Sequence, residues 1–170
     1  MESITIKKLN YKKDVTLNYL KWMNDPEVQK YTEQKYKKKT IIDIKKFVKE
    51  KNKSKNEFLF GIYLKENKKK NHIGNIKLGP INFIHKTAEI SYFIGEKDLW
   101  GKGYTSEAIK KIINFAKKKK LKKLKASFYE MNHGSKKVLE NNGFKIEGKF
   151  KSEIIFNKKR YSTYWYGKIL

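Results

Sequence analysis

Residues 96–116 read EKDLWGKGYTSEAIKKIINFA, and this stretch decides the fold. Counted from Thr105, the apolar residues Ala108, Ile109, Ile112, Ile113 and Ala116 recur at steps of three and four, the signature of an amphipathic helix packed on a sheet. The lysine run 117–120 closes that helix, where cations suit the helix dipole. Ahead of it, Gly101 and Gly103 let the backbone turn tightly, and the free N–H groups of the first helical turn point at the same place. Such a nest holds phosphate oxygens; a plain strand-to-helix loop is the alternative reading. Neither GxGxxG nor GxxxxGK[ST] occurs here, so the two common nucleotide fingerprints do not apply.

Working outward, alternation in Thr87 to Ile94 predicts a strand that ends at Gly95, just before the turn. Upstream of it, Phe58, Phe60, Ile62 and Leu64 alternate, Lys65 to Asn71 reads as a polar turn, and Ile73 to Leu78 resumes an extended pattern before Gly79-Pro80. Ile4, Ile6 and Leu9 suggest a first strand, and Val15 to Trp22 a short helix ending near Asn24. NDPEV (24–28) reads as a turn restarting a helix, with Pro26 at the first helical position and Glu27 placed to meet its dipole. A charged loop follows. Thr40 and Asp43 then form a capping-box pattern ahead of a helix carrying Ile41, Ile44, Phe47 and Val48. Downstream, Leu121 to Tyr129 reads as a strand, Ser135 to Asn142 as a helix stopped by Gly143, and the regions around Phe144 to Ile155 and Tyr161 to Ile169 as two strands.

The 170 residues suit one domain spanning 1–170. There is no cysteine, and His72, His85 and His133 lack metal-ligand spacing, so the chemistry is left to carboxylates, hydroxyls and backbone, with no metal expected. MESITIKKL has no apolar leader region, and no apolar run approaches the roughly 18 residues of a membrane span, so a cytoplasmic protein with no membrane partner is expected. The net charge of +25 invites a nucleic-acid reading. Only one basic residue is arginine, however, Arg160, whereas nucleic-acid readers favour its bidentate fork. A solvated lysine surface that steers anionic ligands is the favoured reading, and nucleic acid is not the expected partner.

WGKGYTSEAIKKIINFA (100–116) resembles the coenzyme A pyrophosphate motif of the GNAT superfamily of N-acetyltransferases. The family pattern is Gln or Arg, two residues, Gly, any residue, then Gly or Ala; Trp100 and Thr105 stand at its first and last positions here. A leading Trp is common in the branch of ribosomal-protein N-terminal, spermidine and amino-sugar acetyltransferases. The Thr105 hydroxyl is expected to cap the helix. KWMNDPEVQKY (21–31), HIGNIKLGPIN (72–82), AEISYFIG (88–95) and MNHGSKKVLENNGFKIEG (131–148) resemble further blocks of that branch, in the same order. The resemblance implies an α/β fold, with a mixed, mostly antiparallel central sheet of about seven strands, flanked by about four helices, whose fourth and fifth strands splay apart.

It also implies acetyl-CoA as cosubstrate and a primary amine as acceptor, either on an amino-sugar nucleotide, which the lysine-rich surface suits, or at a protein N-terminus. Net positive charge disfavours a polyamine. Pyrophosphate would sit in the turn that opens at Trp100, on the amides of Gly101, Lys102, Gly103, Tyr104 and Thr105, and the pantetheine arm against backbone near Phe93 and Ile94 and against Asn132. Glu89, sharing a strand face with Ser91 and Phe93, is the expected base, its pKa raised by desolvation; a surface glutamate is the equal alternative. Ser135 or Tyr129 would return a proton to the thiolate, although Asn132 and Ser135 also suit simple helix capping. Trp22, Asn24 and Tyr31 match the wall of the acceptor site, with core packing favoured for Trp22. A homodimer is compatible with the family. The competing function class is a non-catalytic basic module that binds RNA or ribosomes on the same fold.

Overall fold

The computed structural model describes residues 3–66 and 69–170. Its strands are β1 (Ile4–Lys8), β2 (Phe58–Glu66), β3 (Lys69–Asn82), β4 (Thr87–Ile94), β5 (Lys123–Tyr129), β6 (Lys145–Phe156) and β7 (Lys159–Ile169). Its helices are α1 (Leu17–Asn24), α2 (Ile41–Lys53), α3 (Tyr104–Lys118) and α4 (His133–Asn141), and short 3-10 turns span Glu33–Tyr36 and Lys97–Leu99. The strands form one sheet in the order β1-β2-β3-β4-β5-β7-β6, antiparallel except for β4 beside β5. The order of elements and the mixed sheet agree with the sequence reading.

Strand alternation divides the interior in two. Phe60, Ile62 and Leu64 of β2, Ile76 and Leu78 of β3, and Ala88, Ile90 and Ile94 of β4 pack with Ala108, Ile109, Ile112, Ile113 and Ala116 of α3. The opposite face carries Leu59 and Tyr63, which pack with Tyr19 and Trp22 of α1 and Ile44 and Val48 of α2. Phe93 packs against this second cluster, and with it β4 turns Glu89 and Ser91 to the same side. Each fully buried aliphatic side chain stabilises by about 1.5–3 kcal/mol, so both faces are held strongly. The Thr40–Asp43 capping box starts α2 as expected: Asp43 N–H donates to Thr40 Oγ1 at 3.2 Å, and Thr40 N–H donates to Asp43 Oδ2 at 2.9 Å.

Three local readings need correction. NDPEV does not restart a helix: Asp25 Oδ1 accepts from the Glu27 and Val28 amides at 2.8 and 3.2 Å, making a side-chain turn that competes with helical pairing. Glu27 instead meets Lys97 at 2.6 Å, and the charged loop beyond folds into the Glu33–Tyr36 3-10 turn capped by Thr32. The polar turn expected over 65–71 is shorter, because the β2–β3 ladder continues through Lys65↔Lys70 and Glu66↔Lys69; residues 67 and 68 of that reading lie outside the described residues. Finally, β3 runs past Gly79-Pro80 to Asn82 by way of a register shift between Leu78 and Ile81, where Ile81 N–H donates to Asn56 O at 2.8 Å.

Candidate active site

Strands β4 and β5 pair only over Thr87↔Lys123, Ala88↔Leu124 and Glu89↔Lys125, and then part. Beyond Glu89 the β5 side of β4 has no strand partner. Gly95 N–H donates to Ile73 O at 2.8 Å, and antiparallel alternation then pairs Phe93 with Asn75 and turns the amide groups of Tyr92 and Ile94 into the gap. Phe93 therefore spends its own backbone on β3. Of the two residues expected to offer backbone here, Ile94 faces the gap, together with Tyr92, which the sequence did not single out. The Ile94 carbonyl already accepts from the Trp100 indole N–H at 2.8 Å, which ties the glycine turn to the end of β4.

In that turn Gly101 and Gly103 adopt left-handed φ of 74° and 84°, a conformation open to glycine at little cost. A Cβ at Gly101 would meet nothing within 4 Å, so the turn faces open space. Gly103 is the N-cap of α3 and makes no side-chain cap bond. The first helical bond found there is Glu107 N–H to Gly103 O at 3.1 Å, which leaves the amides of Tyr104, Thr105 and Ser106 ahead of it for an anion. Thr105 is thus not the cap but a residue of the first turn. Tyr104 offers only its amide, its ring being buried in the α3 core, and Lys102 is exposed.

Hydroxyls gather at the side of the gap. Ser135 sits in the first turn of α4, where its N–H donates to Asn132 Oδ1 at 3.0 Å, so Asn132 does cap this helix. The Ser135 Oγ and the Tyr92 hydroxyl are 2.8 Å apart. Burial pushes the Tyr92 phenol up to about 12, so it stays protonated at neutral pH. Tyr129 donates to Glu33 from the adjoining 3-10 turn, and burial, followed by that carboxylate, raises its pKa as well. The side chain of Glu89 remains 41 % exposed, 3.7 Å from Lys125, which places it closer to the surface-glutamate alternative than to a group enclosed in an apolar strand.

On the face opposite α3 lies a cavity of about 340 Å³ between α1, α2 and the middle of the sheet. Its lining includes Asn75, Lys77, Ser91, Tyr92 and Phe93 from the sheet, and Gln29, Thr32 and Glu33 from the loop after α1. Tyr92 and Glu33 link it to the hydroxyls of the gap. A shallower groove of about 940 Å³ adjoins it, sharing Met23, Gln29 and Gln34, and is lined by Lys30, Lys35, Lys37 and Lys38. Asp25 and Glu27, its acids, are engaged by Lys97 at 3.1 and 2.6 Å.

The residues expected to wall the acceptor divide. Trp22 is 3 % exposed and packs on His72 at 5.0 Å, a core residue as favoured from the sequence. Asn24 lines the groove while its amide group ties α1 to the next loop, accepting from Lys39 N–H at 2.8 Å and donating to Lys39 O at 3.0 Å. Tyr31 stands edge-on to Tyr129 at 6.4 Å and near Phe156 at 6.2 Å, beside the groove. Glu33, Asn75, Lys77 and Tyr92 were not picked out by sequence reasoning. Asn75 and Lys77 fell there within the extended run Ile73 to Leu78, and Glu33 within a charged loop.

A strand edge opened beside a parallel neighbour, with a glycine nest and helix start at its end, defines a class of acyl-transfer protein. The acetyltransferase (GNAT) domain model matches residues 4–145, and the chain belongs to that family. No curated protein sequence matches it. Among solved structures, it is similar to a GNAT-family acetyltransferase from Bacillus anthracis, with 25 % identity and a TM-score of 0.81, covering 99 % of this chain and 96 % of that one. The microcin C7 self-immunity acetyltransferase, in complex with acetyl-CoA and AMP, is 23 % identical with a TM-score of 0.84, over 100 % and 94 % of the two chains. Spermidine N-acetyltransferase from Vibrio cholerae, in complex with CoA and spermine, is 21 % identical with a TM-score of 0.84, over 98 % and 95 %. Among the described residues, no helix is long and apolar enough to cross a membrane.

Proposed function

We propose that this chain moves an acetyl group from acetyl-CoA to a primary amine, that of a nucleotide-linked amino sugar. The observation that carries the reading is the β4–β5 gap, with the Gly101–Gly103 nest at its end and the Tyr92–Ser135 hydroxyl pair at its side. The amides from Gly101 to Thr105 suit a pyrophosphate, and the open edge of Tyr92 and Ile94 suits an amide-bearing arm and a polarised thioester carbonyl. The solved neighbours that hold acetyl-CoA or CoA support the same assignment. In the transfer step the amine nitrogen bonds to the thioester carbon and the C–S bond breaks. The departing thiolate takes a proton from the Tyr92–Ser135 pair, whose tyrosine stays protonated at neutral pH. Glu89, acting through water from the strand face it shares with Ser91, is the proposed base, with Glu33 at the cavity the competing carboxylate.

The lysine-lined groove beside the cavity supports a phosphate-bearing acceptor, because its acids are already engaged and its cations are not matched by them. Isothermal titration with acetyl-CoA tests the core of the reading: micromolar binding to the wild type, lost in Gly103→Val, is expected. Absence of binding to the wild type defeats it. Comparing kcat for Glu89→Gln and Glu33→Gln then identifies the base, the variant with the larger loss naming the residue.

A further inference from the structure

We infer that Asn75 selects the acceptor: its side-chain Nδ2 donates a hydrogen bond to an oxygen lone pair beside the reacting amine, so the cavity takes oxygen-bearing amines and turns polyamines away. The inference rests on the acetyltransferase reading above and deepens it.

Asn75 is 3 % exposed, lies on β3 opposite Phe93, and lines the 340 Å³ cavity. The orientation of its amide is fixed from behind. His72 Nε2 is 3.0 Å from Gly74 O and 2.9 Å from Asn75 Oδ1. A carbonyl only accepts, so His72 Nε2 carries the proton and Asn75 must present its oxygen to it. The imidazole is itself held, stacked on Tyr63 at 5.0 Å and met edge-on by Trp22 at 5.0 Å and Tyr19 at 5.7 Å. Burial also keeps its pKa below the ordinary value, consistent with a neutral ring. Nδ2 is therefore turned away from His72, and among the described residues nothing accepts from it. A buried donor without a partner is costly, and a ligand lone pair in the cavity would relieve that cost.

Several of the other polar groups of the cavity are engaged. Asp43 accepts from the Thr40 amide and hydroxyl, and Glu33 accepts from Tyr129. Gln29 donates to Trp22 O at 3.0 Å and accepts from the Thr32 hydroxyl at 2.8 Å. Lys77 is bound to Glu57 at 2.9 Å and brings a further positive charge. An ammonium group has no lone pair for Nδ2, and Lys77 on the same strand face adds like-charge repulsion. A sugar hydroxyl or a peptide carbonyl next to the amine supplies the lone pair that Nδ2 lacks; both present the same chemistry, and the sugar is the source that fits the lysine groove.

The test compares wild type, Asn75→Asp and Asn75→Leu, with acetyl-CoA and three kinds of acceptor: UDP-linked amino sugars with the free amine at C2 or C4, an unblocked Ser-Ala-Ala tripeptide, and spermidine. Asn75→Asp keeps an oxygen for His72 but replaces the donor with a charged acceptor. The wild type is expected to prefer an oxygen-bearing amine. In Asn75→Asp its kcat/KM should fall roughly tenfold to a hundredfold, mainly through KM, while spermidine gains. Asn75→Leu, nearly isosteric, should show the fall without the gain. Acetyl-CoA affinity, measured by calorimetry, should be unchanged in a variant that has folded, and should either variant fail this check the other carries the test. A loss confined to the tripeptide keeps the lone-pair requirement and assigns it to a peptide carbonyl. Preference of the wild type for spermidine, an unchanged selectivity ratio in the variants, or acetyl-CoA binding with turnover of none of these amines overturns the inference. Failure of the wild type to bind acetyl-CoA at all is a different result, which removes the acetyltransferase reading and this inference with it.

Discussion

The glycine turn and the cavity are built on opposite plans. The turn is contiguous: six successive residues, Gly101 to Ser106, supply backbone amides, and their side chains matter chiefly by being small or by pointing elsewhere. The cavity draws side chains from α1, the loop after it, α2, β2, β3 and β4. A group shared by many enzymes, such as a pyrophosphate, can be held by main chain alone, and main-chain geometry is encoded locally. Selectivity among amines requires particular side chains placed by the tertiary fold.

Four perturbations sharpen or break this contrast. Gly103→Val places a β-branched residue at φ 84°, where it is strained, and crowds the nest; acetyl-CoA affinity should fall at least about a hundredfold by calorimetry, with the α3 helical signal retained. If affinity survives, the turn is not the pyrophosphate site. Tyr92→Phe removes one hydroxyl of the pair with Ser135, and kcat should drop about 100-fold with KM little changed. Because the wild-type phenol titrates only at about 12, its kcat should show no alkaline fall from this group below roughly pH 11.

Gly95→Ala probes the cavity side, since its new methyl would lie 2.1 Å from the Trp22 ring. A loss of about 1–3 kcal/mol in urea unfolding is expected, larger than at the open Gly101. The smallest effect is assigned to Glu57→Gln. Burial alone would raise the Glu57 carboxyl, but the ammonium groups of Lys51 and Lys77 hold it on balance below its ordinary 4.5. A depressed carboxylate adds stability above its unfolded value, which is lost as pH falls through the folded one. The variant should therefore be about 1 kcal/mol less stable at pH 7, with the difference closing below pH 4.5 in denaturation curves taken across pH.

The same contrast explains what could be read in advance. The α3 periodicity, the Thr40–Asp43 box, the Gly143 stop and the alternation of β2 and β4 are local patterns, and each predicts its element. The NDPEV helix failed because Pro and Glu there fit two local structures equally, and the choice fell to Asp25 and to Lys97, which lies 70 residues from Glu27. Asn75 could not be read at all: its polar side chain alternates with Ile76 as a solvent-facing residue would, and only the packing of α1 and α2 over that face buries it. Glu33 and Tyr129, separated by 96 positions, meet for the same reason.

The bond from the Trp100 indole to the Ile94 carbonyl has an optical consequence. Trp22 is buried and Trp165 half-buried, whereas Trp100 is 46 % exposed and fixed at the rim of the glycine turn. The protein thus carries an intrinsic fluorophore beside the proposed pyrophosphate site, and its emission should shift when an anion fills that turn, with no label attached.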